Sequence, residues 1–384
     1  MSATRPPISA APLFSPSAQA GGPRLAASVA ALPATIPFVG PEALERQRGL
    51  SLRLRIGANE SLFGPAPSVV ARLAETAFDS RFYGDPEGWA LRSALGAEHG
   101  LPIENILLAG GIDELLGLFV RAYLDPGAPV VMSAGGYPTF AYHVAGFGGR
   151  FVTVPYRDDR NDALALVEAA RQSGARILYL ANPDNPSGTW LSPETIAEMA
   201  ARLPDSCLFL LDEAYTEFAA PETRPVLEPD PRIVRLRTFS KAHGLAGLRV
   251  GYALGAAETL RPLDRIRNHF GVSRPAQEAA LAALEARDHL AFVQRENAEG
   301  RADYAALARE LGWTALPSAT NFVAIDVGGK THARLILDRL LTEAGIFIRM
   351  PGHPPLDRCI RVTVAPRTER RVFAEALRRI AATL

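Results

Sequence analysis

The sequence predicts an α/β fold: a large unit with a mostly parallel sheet flanked by helices, joined to a smaller α+β unit. Three observations lead there. Short apolar runs alternate with helical patterns through most of the chain. The runs are continuously apolar, the signature of strands buried on both faces. Glycine, asparagine and aspartate gather directly after them, where such sheets bind ligands.

In chain order, residues 1–30 are rich in Ala, Pro and Ser, with Arg5 and Arg24 as the only charges. They read as a flexible arm without the apolar core of a signal peptide. A helix follows at 41–48, then an alternating edge strand at 52–56. Helical patterns recur at 67–78, 88–99, 112–123 and 192–202. Buried-strand runs fall at 106–109, 129–132, 176–180, 207–211, 233–236 and 250–254. A long helical stretch at 275–310, strands at 321–325 and 359–364, and a terminal helix at 367–383 form the second unit. The expected division is an arm at 1–30, a large domain at 61–268, and a small domain built from 31–60 and 269–384.

A length of 384 residues fits two domains of ordinary size. Acidic and basic side chains number 41 each and no polybasic stretch stands out, which argues against nucleic acid or an anionic membrane as partner. Cys207 and Cys359 are too far apart in sequence for a zinc cluster or a disulfide framework, and no metal site is expected. No apolar run reaches the ~18 residues of a membrane span. The expectation is a cytoplasmic enzyme or binding protein.

The basic residues are unevenly drawn. Only Lys241 and Lys330 are lysines, so 39 of the 41 basic side chains are arginine. A lysine kept against that bias points to chemistry arginine cannot do, because an amine can lose its proton and attack a carbonyl. Lys330, in a Gly-Gly-Lys-Thr turn that lacks the first glycine of a phosphate loop, reads as a surface residue.

Lys241 sits otherwise. It follows the 233–236 run in Arg237-Thr238-Phe239-Ser240-Lys241, ahead of a glycine-rich loop that ends at Arg249. That places an amine nucleophile beside an anion clamp. Gly110-Gly111-Ile112-Asp113 opens a helix, a phosphate seat or merely a tight turn. Ala181 to Gly188 contains two Asn-Pro steps, a rigid ligand loop or a structural one. Asp212 closes an apolar run, either as a buried carboxylate needing a partner or as a cap. Together these parts describe an aromatic aldehyde carrying a phosphate and a protonatable ring nitrogen, which is pyridoxal phosphate.

The sequence resembles the fold-type I pyridoxal-phosphate aminotransferases, most of all their histidinol-phosphate aminotransferase branch, from about residue 33 onward. The resemblance rests on Ala58-Asn59-Glu60-Ser61, Tyr83-Gly84-Asp85-Pro86, the 181–188 loop and Asp212-Glu213-Ala214-Tyr215. It continues in Ser240-Lys241 with Arg249, in Ser318 to Phe322, and in Ile360 to Val364. It implies that Lys241 bonds the cofactor and moves the substrate proton, that Asp212 pairs with the ring nitrogen, and that Tyr215 and Asn185 hydrogen-bond the ring oxygen. It implies that Phe140 stacks on the ring. It also implies that Gly111, Ile112, Thr238, Ser240 and Arg249 surround the phosphate, with Tyr83 reaching over from a second subunit of a homodimer. Arg361 would bind the α-carboxylate, and Arg349 a second anionic group. The branch pattern is not followed at Gly111-Ile112 or at Arg267 to Gly271, where His269 is a pocket residue or a structural histidine. The activity implied is amino-group transfer between an amino acid or amino-alcohol phosphate and a 2-oxo acid such as 2-oxoglutarate. A decarboxylase of a phosphorylated amino acid, or an oxidase, is the alternative on the same fold.

Overall fold

The computed structural model describes residues 23–33, 39–49, 51–225, 227 and 230–384. Most of the expected arm therefore lies outside the described residues. Its end does not hang free: Ala27–Ala30 form a helical turn, and Ser28 Oγ donates to the Gly146 carbonyl at 2.7 Å.

Twelve strands are present among the described residues: β1 (Leu54–Arg55), β2 (Ile106–Ala109), β3 (Pro129–Ser133), β4 (Arg150–Val154), β5 (Ile177–Ala181), β6 (Leu208–Asp212), β7 (Ile233–Thr238), β8 (Gly251–Gly255), β9 (Thr314–Ala315), β10 (Phe322–Asp326), β11 (Ile346–Phe347) and β12 (Cys359–Thr363). Seven form the large sheet in the order β2-β8-β7-β6-β5-β3-β4, with β8 antiparallel to both neighbours and the other pairs parallel. β5 and β6 are buried along their whole length, as their continuous apolar sequences require. The small unit holds the antiparallel β12-β10-β9 sheet and the parallel pair β1-β11.

Most strands lie within a residue or two of the expected positions. β4 was not expected, because it alternates exposed and buried residues from Arg150 to Val154 at the sheet edge rather than forming an apolar run. The expected helical stretch at 275–310 is two helices, Arg274–Glu285 and Arg287–Glu310, broken at Ala286 where ψ swings to 52°. The break follows from packing. Ala276, Ala279, Ala280 and Ala283 of the first helix join Val69, Leu91, Leu95 and Leu108 in a core of the large unit. Tyr304 and Leu307 of the second pack with Val323, Val362 and Phe373 in the core of the small one. The large unit's core thus extends beyond residue 268, to residue 283. Helices Pro138–Gly146, Ala163–Ser173 and Lys330–Ala344 were also not anticipated. Lys330 opens the last of these and pairs at the surface with Asp357 at 3.3 Å.

Candidate active site

Four strand ends of the large sheet carry the polar residues. β2 runs into Gly110-Gly111 and the helix Ile112–Tyr123, β5 into the 182–188 loop, β6 into Asp212, and β7 through Thr238 to Lys241. Parallel strands end on one side, so the topology gathers residues far apart in sequence.

Asp212 is buried, with Oδ2 accepting from the Tyr179 hydroxyl at 2.8 Å and Oδ1 from the Ala214 N–H at 3.0 Å. It is both the buried carboxylate and the turn cap that the sequence left open. Burial pushes its carboxyl up to about 6, against the pull of Tyr179 and Ala214. Lys241 is partly buried, and its Nζ donates to the Asn59 carbonyl at 3.1 Å. Burial, reinforced by the Arg361 guanidinium, lowers its amine to about 8. Roughly a tenth of the amine is then neutral at pH 7, far more than in an ordinary lysine, which favours a nucleophilic amine. Tyr215 is buried and accepts from Asn59 Nδ2 at 2.9 Å. Burial raises its hydroxyl to about 12, so it is a proton donor at neutral pH.

Groups that could hold an anion gather at the N-terminus of the helix Ile112–Tyr123. Gly111 has φ +93°, and a Cβ there would stand 2.4 Å from Arg249 Nη2, so only glycine lets that guanidinium approach the helix N-terminus. Ile112 follows, buried, as the first residue of the helix. Arg249 Nη1 donates to Ser240 Oγ at 3.3 Å, and Nη2 lies 3.7 Å from Asp113. Thr238 Oγ1 accepts from the Ser240 N–H at 3.0 Å, which fixes the turn into Lys241.

On the small-unit side, Arg361 projects from β12. Its Nη1 donates to Asn185 Oδ1 at 2.5 Å and Nη2 to the Gly57 carbonyl at 3.3 Å. Burial, with Arg349 nearby, lowers this guanidinium to about 10. Arg349 pairs with Arg361 through the backbone and sends Nη2 to the Val39 carbonyl at 2.9 Å.

Two expected residues stand elsewhere. Phe140 is fully buried in the core and stacks on Tyr179 at 4.5 Å, because the third residue of its helix faces the sheet beneath. It presents no open face to a ligand. Tyr137 is the partly buried aromatic near the site, its hydroxyl donating to Asp113 at 2.9 Å. Tyr83 is 77% exposed, lies tilted against Phe270 with ring centroids 4.6 Å apart, and meets none of these groups among the described residues. His269 is exposed, beside a surface cleft with Arg261, Asp264 and Arg267.

Sequence reasoning did not assign Asn59, Asn321 or Asp184. Asn321 Nδ2 donates to the Asn59 carbonyl at 3.0 Å. Asp184, 2% exposed, anchors the 182–188 loop by accepting from Tyr156, Asn161 and Ser187.

The fold and site together define a lysine-centred α/β enzyme with an anion seat at a helix N-terminus. The sequence matches the family described as aminotransferase class I and II over residues 53–380, and the chain belongs to that family. A histidinol-phosphate aminotransferase of Moorella thermoacetica is 32% identical over 365 residues, covering 94% of each chain. Another from Maricaulis maris is 37% identical over 340 residues, covering 86% of this chain and 92% of the relative. The crystal structure of histidinol-phosphate aminotransferase from Sinorhizobium meliloti in complex with pyridoxal-5'-phosphate superposes with a TM-score of 0.91 at 48% identity, covering 94% of this chain and 99% of that one.

Proposed function

We propose that this aminotransferase uses pyridoxal 5'-phosphate to move an amino group between a histidinol-phosphate-like donor and a 2-oxo acid such as 2-oxoglutarate. The observation that carries the reading is the convergence on one strand-end surface of the Lys241 amine, the Asp212 carboxylate and the Gly111–Arg249 seat. The residues present fit the cofactor: Gly111 leaves a cradle that any Cβ would fill, and the hydrogen-bond donors to Asp212 among the described residues are neutral.

When bound, the cofactor would supply an aldehyde for the amino group and a ring that takes up electrons released at the α-carbon. Lys241 would hold it and then carry the proton at the substrate α-carbon. Asp212 would keep a proton on the ring nitrogen. Tyr215, whose oxygen already accepts from Asn59, would donate its own proton to the ring oxygen, with the amide of Asn185 beside it. Ser240, Thr238, Arg249 and the amides at Gly111 and Ile112 would hold the phosphate. Arg361 would take the α-carboxylate and Arg349 the second anion.

The chain is further proposed to act as a cytoplasmic homodimer. Phe78, Phe82, Tyr83 and Trp89 are all more than half exposed within twelve residues of one another, exposed aromatics that a second copy could cover. Tyr83 would reach the partner's phosphate from there. Among the described residues no helix is long and apolar enough to cross a membrane.

The test is a half-reaction screen. Histidinol phosphate and single amino acids are added to the holoenzyme, and the cofactor absorbance is followed. Conversion to the amine form, reversed by 2-oxoglutarate and without carbon dioxide release or oxygen uptake, is expected. Either gas change would favour the decarboxylase or oxidase instead. Lys241→Ala should abolish the lysine-bound absorbance and borohydride trapping while the fold persists.

A further inference from the structure

We propose that Asn59 is a positioning residue: its main-chain carbonyl docks the Lys241 amine, and its side-chain amide sets the Tyr215 hydroxyl as a donor. The inference rests on the reading of Lys241 given above and deepens it.

Every polar atom of Asn59 is engaged. The N–H donates to Thr363 Oγ1 at 3.1 Å, and Oδ1 accepts from the same hydroxyl at 3.3 Å. Nδ2 donates to the Tyr215 oxygen at 2.9 Å. The carbonyl accepts from both Lys241 Nζ at 3.1 Å and Asn321 Nδ2 at 3.0 Å. The residue is 3% exposed. Its φ of +56° is a left-handed conformation that asparagine tolerates better than other residues bearing a Cβ. A strained, saturated, buried asparagine touching both the amine and the hydroxyl is more than a turn.

The chemistry of the acceptor matters. A carboxylate at this position would hold the lysine as an ammonium ion. A neutral carbonyl accepts from the amine whether or not it carries its extra proton, so the proton can leave without the contact breaking. The charged groups facing Lys241 come from several elements. Arg361 on β12 and Arg249 favour the neutral amine; Asp113, Glu60 and Asp212 oppose them. With charges of both signs present, the fixed dipole at Asn59 holds the amine in place. The same short segment also touches the substrate side, since the Gly57 carbonyl accepts from Arg361 and Thr363 lies two residues beyond Arg361 on β12. Asn59 therefore ties the lysine to the strand that bears the anion-binding arginine.

The chain suits a direct test, having only two lysines. The full-length protein is freed of cofactor and labelled with trace acetic anhydride across a pH range. Acetylation of Lys241 is read by mass spectrometry against exposed Lys330 as the internal reference. In the parent, Lys241 labelling should rise through a midpoint of about 8. Asn59→Gly keeps a left-handed backbone but drops the side-chain anchors, so water reaches the amine. Its midpoint should move up by about one unit, cutting Lys241 labelling at neutral pH roughly tenfold. Thr363→Val removes a hydroxyl that contacts Asn59 but neither Lys241 nor Tyr215, and should shift the midpoint in the same direction by less. An unchanged midpoint in Asn59→Gly, with only a lower melting temperature, overturns the proposal. If that variant does not fold, an unchanged midpoint in Thr363→Val overturns it equally. Failure of borohydride to trap cofactor on Lys241 of the parent would instead remove the reading beneath it, and leaves the labelling result standing.

Discussion

Asp212 and Glu213 are neighbours at the end of β6, both buried, with side chains on opposite sides of the chain. Their surroundings could hardly differ more. Glu213 receives Nε and Nη2 of Arg235 at 3.0 Å each, and Nε of Arg237 at 2.6 Å. Those arginines are two residues apart on β7 and share a face, so the strand delivers both to one carboxylate. Burial pushes the Glu213 carboxyl up, but Arg237 and Arg235 outweigh it and hold the group below its usual range. Asp212 has neutral donors, and burial wins. A buried carboxylate closed by two guanidiniums is architecture. One left short of positive charge is ready for a cation to arrive, and under the proposed function that cation is the protonated ring nitrogen.

Breaking the closed side should have the larger effect. Glu213→Gln strands the Arg235 guanidinium and leaves Arg237 with Glu217 alone at 3.5 Å, and removing one partner of such a buried cluster costs about 3–5 kcal/mol. Urea melts should show that loss at pH 7, with the melting temperature falling. The sign in pH follows from the lowered folded-state value. The Glu213 contribution is present above the ordinary carboxylate range and is lost as pH falls through the folded value, so parent and variant should converge in acid.

Asp212→Asn should do the reverse. The folded value of about 6 lies above the ordinary 3.8, so ionisation of Asp212 weakens the fold as pH rises through that window. In cofactor-free protein at pH 8 the variant should be more stable, by up to ~3 kcal/mol, with the difference vanishing below about pH 4. With cofactor bound, kcat should fall by roughly a hundredfold or more, since the ring nitrogen loses the charge that faces it. A variant that loses stability but not rate would make Asp212 only a turn cap.

The same contrast marks what was legible in the sequence. Lys241 was visible because lysine is scarce, and Asp212 because it ends an apolar run; both are local signals. Asn59 was not, since its partners Lys241, Tyr215, Asn321 and Thr363 lie 156 or more residues away and its conformation is a property of the backbone. Phe140 was read from its place beside Pro138-Thr139, but which way a helix turns its third residue depends on the sheet beneath. β4 does not stand out in the sequence because Arg150 and Thr153 interrupt its apolar residues and only Val152 and Val154 are buried. The break at Ala286 carries no glycine or proline; two separate cores pull the halves apart.

The remaining effects extend the comparison from two carboxylates to two arginines, and the smaller of the two is the selective one. Arg361 and Arg349 are bridged backbone to backbone, with N–O distances of 2.6 and 3.2 Å, yet their side chains are held differently. Arg361 is fixed by Asn185 and Gly57, and its Nε is buried without a partner among the described residues. That spare donor suits a carboxylate taken up side-on, and losing such a charge-assisted pair costs on the order of 1.5–3 kcal/mol. Arg361→Ala should therefore raise KM about ten- to a hundredfold for every α-carboxylate substrate. Arg349 instead leans on the Val39 carbonyl and lies over the Phe347 ring at 5.2 Å, contacts that an incoming anion can replace. Arg349→Ala should weaken a phosphorylated or acidic donor by several-fold and leave a neutral aromatic one nearly unchanged. Steady-state KM values for histidinol phosphate, glutamate and phenylalanine separate the outcomes. Equal, small changes across all three would leave Arg361 as the sole anion anchor, and would favour a general aromatic or neutral amino-acid aminotransferase over one built for a phosphorylated donor.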